Sequence, residues 1–232
     1  MEFSIEKRND TPITDRVKEV MEDFDIKADH ANELFLGSLD IEEKDWSIGL
    51  IVGGSGTGKS TIAREVFGDY YVRGYDYDDN SVLDNMPSIC TTKEIEKAFT
   101  SVGFSSPPSW LKPYKVLSTG EKMRVDLARS ILRDSELIVF DEFTSVVDRE
   151  VAKTCSMAIQ KEIRRKGKKF VAVSCHSDII EYLSPDWIYD TDQKSFFGLW
   201  GNMSSLDIKS TYTKLADSIS NRYGKYLGSI II

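Results

Sequence analysis

Cysteine and histidine are scarce in this chain, three and two in 232 residues. Cys90, Cys155 and Cys175 follow no regular spacing, which excludes a disulfide framework or a zinc cluster as the organising element. So few cysteines without regular spacing point to a reducing, cytoplasmic compartment. No run of 18 apolar residues exists, so no segment is expected to span a bilayer, and no signal-peptide pattern opens the chain. The closing Ser229-Ile-Ile-Ile232 is too short to anchor in one. Repeats and low-complexity segments are lacking too. Positive charge is in deficit: the net charge is −8 and the pI about 5.0, against broad nonspecific DNA binding. What is present suffices for one α/β domain, since 41% of the residues are hydrophobic.

The informative segment is Ile48-Gly-Leu-Ile-Val52 followed by Gly53-Gly-Ser-Gly-Thr-Gly-Lys-Ser60. A buried-strand pattern runs into Gly-x4-Gly-Lys-Ser, the phosphate-binding P-loop. Gly53, Gly54, Gly56 and Gly58 let the backbone wrap closely, and Ser55 and Thr57 complete the turn that points amides at a di- or triphosphate. Gly58 leads into an amphipathic helix beginning near Thr61, whose N-terminus adds partial positive charge. Lys59 is placed to reach the β/γ-phosphates and the Ser60 hydroxyl to ligate Mg²⁺.

Downstream, Leu137-Ile-Val-Phe140 is a short apolar run ending in Asp141-Glu142. In isolation the two acids read equally well as a helix cap. Beside a P-loop they read as carboxylates delivered to the C-terminal end of a buried parallel strand. Asp141 can then hold the Mg²⁺ shell, and Glu142 can orient or deprotonate an attacking water.

Leu117-Ser-Thr-Gly-Glu121, shortly before that strand, resembles the Leu-Ser-Gly-Gly-Gln signature of ATP-binding-cassette (ABC) ATPases. Ser145-Val-Val-Asp148 resembles their D-loop, and Phe170-Val-Ala-Val-Ser-Cys-His176 their last core strand ending at a switch histidine. The likeness covers residues 34–189. It implies a P-loop NTPase fold, a mainly parallel sheet flanked by helices, and ATP with Mg²⁺ as ligands. It also implies a nucleotide-dependent homodimer of head-to-tail cassettes in which Ser118, Thr119, Gly120 and Asp148 meet ATP held by the other protomer, with a further protein partner unidentified. The bland alternative for Ser118 is a helix cap with Glu121 three positions on, and both can hold at once. His176 would reach the γ-phosphate. Cys175 points to the opposite face of the chain and reads as a small core residue. A narrower likeness, carried by Ser105-Ser-Pro-Pro-Ser-Trp110, Asp141-Glu-Phe-Thr-Ser-Val-Val-Asp-Arg149 and Pro185-Asp-Trp187, is to a phage and mobile-element subgroup, some members of which are fused to a GNAT-type acetyltransferase. No such domain is expected in 232 residues.

Two departures from the cassette pattern stand out. Both glutamines, Gln160 and Gln193, follow Asp141, so the Q-loop glutamine is absent; Asn80 or Asp84 could stand in, or belong to a surface turn. Only 59 positions separate Lys59 from Ser118, so the helical subdomain must be abbreviated. Both weaken a transporter assignment.

The expected organisation is an ATPase domain over residues 1–195 and a partly helical tail over 196–232, whose amphipathic stretch 208–227 packs on the cassette or on a partner. A strand at 3–7, a helix at 14–24 and a strand at 34–36 precede the P-loop; Phe35 is either an adenine-stacking aromatic or core. Helices are expected at 94–102 and 151–166, with a Pro/Ser/Gly-rich turn at 103–113. The basic run 161–169 is either a solvated helix end or a small patch facing phosphate or nucleic acid. The first test is Lys59→Ala: calorimetry should show loss of most ATP affinity, because a charge-assisted contact to phosphate is removed. Unchanged affinity would sink the P-loop assignment.

Overall fold

A computed structural model describes residues 1–7, 12–26, 33–72, 74–200 and 205–228, and Ser229-Ile-Ile-Ile232 lies outside them. Strand β3 (Ile48–Val52) is buried at all five positions. It lies inside a six-stranded sheet of order β4-β5-β6-β3-β7-β8, with β4 Tyr71–Val72, β5 Leu137–Phe140, β6 Lys169–Ser174, β7 Trp187–Asp190 and β8 Ser195–Gly198. All neighbours are parallel except β7 and β8. A parallel sheet must be covered on both faces, which is why β3 shows no polar alternation. β8 straddles the expected boundary at 195/196, since Phe196 and Phe197 pair with Tyr189 and Ile188. A separate antiparallel pair, β1 (Glu2–Lys7) and β2 (Glu33–Ser38), brackets α1 (Asp15–Asp23).

The period of two in the strands sorts the core into two layers. Ile48, Leu50, Val52, Ile138, Phe140, Phe170 and Ala172 join one cluster. It is completed by α3 (Thr92–Ser101), α5 (Thr119–Leu132), α6 (Arg149–Lys166) and α7 (Ile180–Leu183). Ile51, Val139, Val171, Val173, Trp187 and Tyr189 join the other, with Ile62, Ala63 and Phe67 of α2 (Lys59–Phe67). Among the described residues, α3, the short α4 (Pro107–Trp110) and a 3-10 turn at Tyr114–Val116 stand between β4 and α5, consistent with the short spacing from Lys59 to Ser118.

Helix ends follow local chemistry. Thr91 and Glu94 form a capping box at α3. α6 stops at Gly167, whose φ is +65°, after a last turn containing Arg164, Arg165 and Lys166. That basic run is engaged within the molecule. Arg164 pairs with Asp186 at 2.9 Å and Arg165 with Glu162 at 2.6 Å. Lys168 donates to the Arg133 carbonyl at 2.7 Å, and Lys169 lies 4.8 Å over the Trp46 ring. α8 (Ser205–Gly228) packs on α7, with Ile219 buried and the Tyr212 hydroxyl donating to the Pro185 carbonyl at 2.8 Å. The stretch from Tyr212 to Ile219 therefore lies against α7 and the chain that follows it.

Gly49 shows how tightly the second layer is filled: a Cβ there would come within 2.1 Å of the Trp187 ring. Gly49→Ala should destabilise the fold by about 1–3 kcal/mol, the usual effect of overpacking, read as a lower denaturant midpoint. An unchanged midpoint would show that Trp187 yields freely.

Candidate nucleotide site

The loop between β3 and α2 is held open to an anion by its own backbone. Gly56 and Gly58 have φ of +81° and +86°, which an L side chain rarely adopts. Gly58 is the N-cap of α2 and offers no side-chain oxygen, so the first-turn amides keep their capacity for phosphate. Lys59 is buried, and its ammonium donates to the Gly54 carbonyl at 2.5 Å. A cleft of about 250 Å³ is lined by Ser55, Gly56, Gly58, Lys59, Ser60 and Thr61 of this loop. Lys7 of β1, Glu33 and Phe35 of β2, Glu142 and Cys175 complete the wall. Phe35 packs on Gly58 so closely that a Cβ there would fall 2.2 Å from its ring.

Gly53, Gly54 and Thr57 are not among the residues lining that cleft, and they contact the turn after β7. The Thr57 and Thr191 hydroxyls lie 2.6 Å apart, and the Gly54 amide donates to Asp192 at 3.0 Å. A Cβ on Gly53 would meet the Thr191 hydroxyl. These residues brace the loop from behind. No motif marks Thr191 and Asp192 in the sequence; only their position after the Trp187–Asp190 strand could have pointed to them.

At the end of β5, Asp141 accepts from the Ser60 hydroxyl on Oδ1 at 3.1 Å and from Tyr71 on Oδ2. A hydroxyl and a carboxylate are hard oxygen donors of the kind Mg²⁺ takes alongside phosphate oxygens and water, so the donor set fits that ion. Tyr71 carries no motif and sits on a two-residue strand, and the sequence reading missed it. Burial first, then the hydrogen bond to Asp141, pushes its phenol up to about 12, so it donates throughout the neutral range.

Glu142 is exposed, with a left-handed φ of +52°. It also lines a second cleft of about 500 Å³ together with Asp141, Tyr71, and Thr119 and Lys122 of α5. Holding a glutamate in that region costs about 1–2 kcal/mol. The flanking bonds, Phe143 amide to Val173 carbonyl at 2.8 Å and Ser145 amide to Glu142 carbonyl at 3.1 Å, over-determine it.

Ser118, Thr119 and Gly120 do not reach the P-loop cleft of their own chain. Ser118 caps α5 in a full capping box with Glu121, and Asp148 caps α6 through the Val151 amide. Ser118, Thr119 and Asp148 are exposed. Asn80 and Asp84 stay in their own turn: Asn80 bonds to Asp78, and Asp84 to Ser81. Cys175 corrects the sequence expectation. It is half-buried on the cleft wall, 3.6 Å from the Ser145 hydroxyl, because β6 ends at Ser174 and the chain turns there.

His176 is half-buried just past β6. Desolvation and the charge of Arg149 hold its imidazole below the usual 6.5. Arg149 itself forks onto Asp178, tying the start of α6 to the loop after His176. A depressed histidine pKa means the unfolded chain binds more protons, so stability is full above about 6.5 and falls as pH drops toward the folded value. With only two histidines, an NMR titration assigned by His176→Gln should place this midpoint below 6.5, and the variant should lose that acid-side decline. A midpoint at or above 6.5 would overturn the burial argument.

No protein-family model matches the sequence. Over 208 residues the chain is 26% identical to the mitochondrial iron-sulfur clusters transporter ABCB7 of Rattus norvegicus, covering 71% of this chain and 27% of that protein. Over 100 residues it is 32% identical to the ATP-dependent lipid A-core flippase of Pseudoalteromonas translucida, covering 43% of this chain and 16% of that protein. The chain thus spans about a quarter or less of the length of these curated relatives. Among solved structures it resembles a dimeric structure of MJ0796, a bacterial ABC transporter cassette, with TM-score 0.59, 16% identity, and coverage of 73% of this chain and 93% of that one. The same cassette in a post-hydrolysis dimer bound to ADP and Pi gives 0.58 at the same identity and coverage. With a P-loop at the end of β3 and two carboxylates at the end of β5, the chain has the fold of an ABC-type ATPase cassette.

Proposed function

We propose that this chain binds ATP and hydrolyses it with Mg²⁺ as one half of a head-to-tail nucleotide-sandwich dimer, driving a conformational change in a protein partner. The observation that carries this is the hydrogen bond from Ser60 to Asp141, with Glu142 entering the P-loop cleft. Loop and carboxylates lie 81 residues apart in the chain and meet at one point.

The phosphate chain would lie on the amides of residues 55–61, and Lys59 would exchange the Gly54 carbonyl for a phosphate oxygen. Mg²⁺, held by Ser60 with Asp141 in its shell, would neutralise charge on the phosphates. Glu142 is exposed to the cleft and accepts the proton of the attacking water. His176, neutral near pH 7, supplies a ring nitrogen for the γ-phosphate side. The exposed Ser118, Thr119 and Asp148, with Gly120, face a second protomer. Val116 and Val146 beside them are more than half exposed, as a face awaiting a partner would be.

A second reading, the ATPase part of a transporter, is favoured by the names of the relatives above. No helix among the described residues is long and apolar enough to cross a membrane, so that reading requires a spanning partner or segment elsewhere. A nucleotide-gated module that scarcely turns over is disfavoured by Glu142, which binding alone does not require.

Glu142→Gln keeps the shape and removes the base. Its phosphate release should fall roughly 10²–10⁴-fold. With ATP and Mg²⁺ the variant should accumulate as a dimer by light scattering, while the wild type dimerises only transiently, because a ligand that favours the closed state shifts population toward it. Wild-type turnover in this variant would remove Glu142 from the chemistry. A variant that stays monomeric at saturating ATP would leave hydrolysis but remove the homodimer.

A further inference from the structure

The carboxylate of Asp141 is held from three directions. Oδ1 accepts from the Ser60 hydroxyl at 3.1 Å and from the Glu142 amide at 2.9 Å, and Oδ2 accepts from the Tyr71 hydroxyl. Tyr71 comes from β4, whose register pairs it with Val139 of β5, two residues before Asp141. Its ring packs partly buried against the second core layer, with the Arg64 guanidinium 5.8 Å from its centroid. The donor is therefore carried on a strand of the same sheet, with its ring confined by packing.

We propose that Tyr71 is the positioning residue of the metal-side carboxylate, fixing Oδ2 so that Oδ1 is presented on the Ser60 side to a divalent cation. This rests on the function proposed above. A terminal carboxylate torsion is soft, and Mg²⁺ tolerates little departure from octahedral geometry, so a ligand oriented in advance binds it better. No glutamine precedes Asp141 in the chain, and Asn80 and Asp84 bond elsewhere. Among the described residues, Tyr71 is the side chain hydrogen-bonded to Oδ2.

Tyr71→Phe removes the hydroxyl and keeps the ring. With a non-hydrolysable ATP analogue, electron paramagnetic resonance of Mn²⁺ should show roughly 10-fold weaker metal binding, the usual effect of losing an outer-shell partner. Affinity for the analogue in excess chelator and the ligand-free melting temperature should not change; a merely structural role would move both. Asp141→Asn is the positive control. Should Tyr71→Phe fail to fold, 3-fluorotyrosine at position 71 keeps the hydroxyl, and its ¹⁹F resonance should shift with Mg²⁺ plus analogue but not with analogue in chelator. Wild-type Mn²⁺ affinity in Tyr71→Phe, an equal loss of metal-free affinity, or a fluorine resonance indifferent to metal would each overturn the inference. Failure of the wild type to bind Mn²⁺ with the analogue would overturn the proposed function instead.

Discussion

The hydrogen-bonded position of β3 between β6 and β7 is the constraint from which the site follows. A strand with five buried residues must satisfy its amides and carbonyls on both edges, and parallel neighbours do so only if their chain directions agree. Val52 is thereby set beside Ser174 on one side and Asp190 on the other. Each strand then releases its chain at the same edge. The P-loop, the Cys175-His176 turn and the Thr191-Asp192 turn emerge as neighbours, and the Thr191 amide closes onto the Val52 carbonyl at 2.9 Å. Open α/β sheets place ligands at this edge for the same reason.

Electrostatics at that edge are arranged in advance. The α2 N-terminus and buried Lys59 supply positive potential, while Asp141 and Glu142 stand opposite. Strain is concentrated at Glu142 and Thr144, both at positive φ, in the turn that Phe143 ties to β6. Arg149 links the next helix to the loop after His176, so the carboxylate turn and the histidine turn are braced together.

Two further contacts connect the site with the rest of the molecule. Tyr77 and Tyr114 stack at 3.9 Å, and both donate to Asp126 of α5, while Arg129 lies over Tyr75 and Tyr77. Burial pushes the Asp126 carboxyl and both phenols up. This network ties the segment after β4 to the helix that begins at the signature-like turn. On the other side, Ser177, next to His176, shares a 2.8 Å hydrogen bond with Ser220 of α8, so the C-terminal helix rests on the histidine loop.

Short-range patterns made much of this legible in the sequence alone. The run 48–60 specifies strand, loop and helix because apolar period and glycine placement are local properties. The same holds for β5, the capping box at Ser118, and the helices within 92–101 and 149–166. What the tertiary structure decided depends on which strands become neighbours. It brought Tyr71 onto Asp141 and Asp192 onto the Gly54 amide across 70 and 138 positions. It turned Cys175 to the cleft wall, joined β8 to the sheet and engaged the basic run with carboxylates, carbonyls and Trp46. None of these has a local signal, because a hydroxyl or a lysine carries no mark of the partner that folding will bring to it.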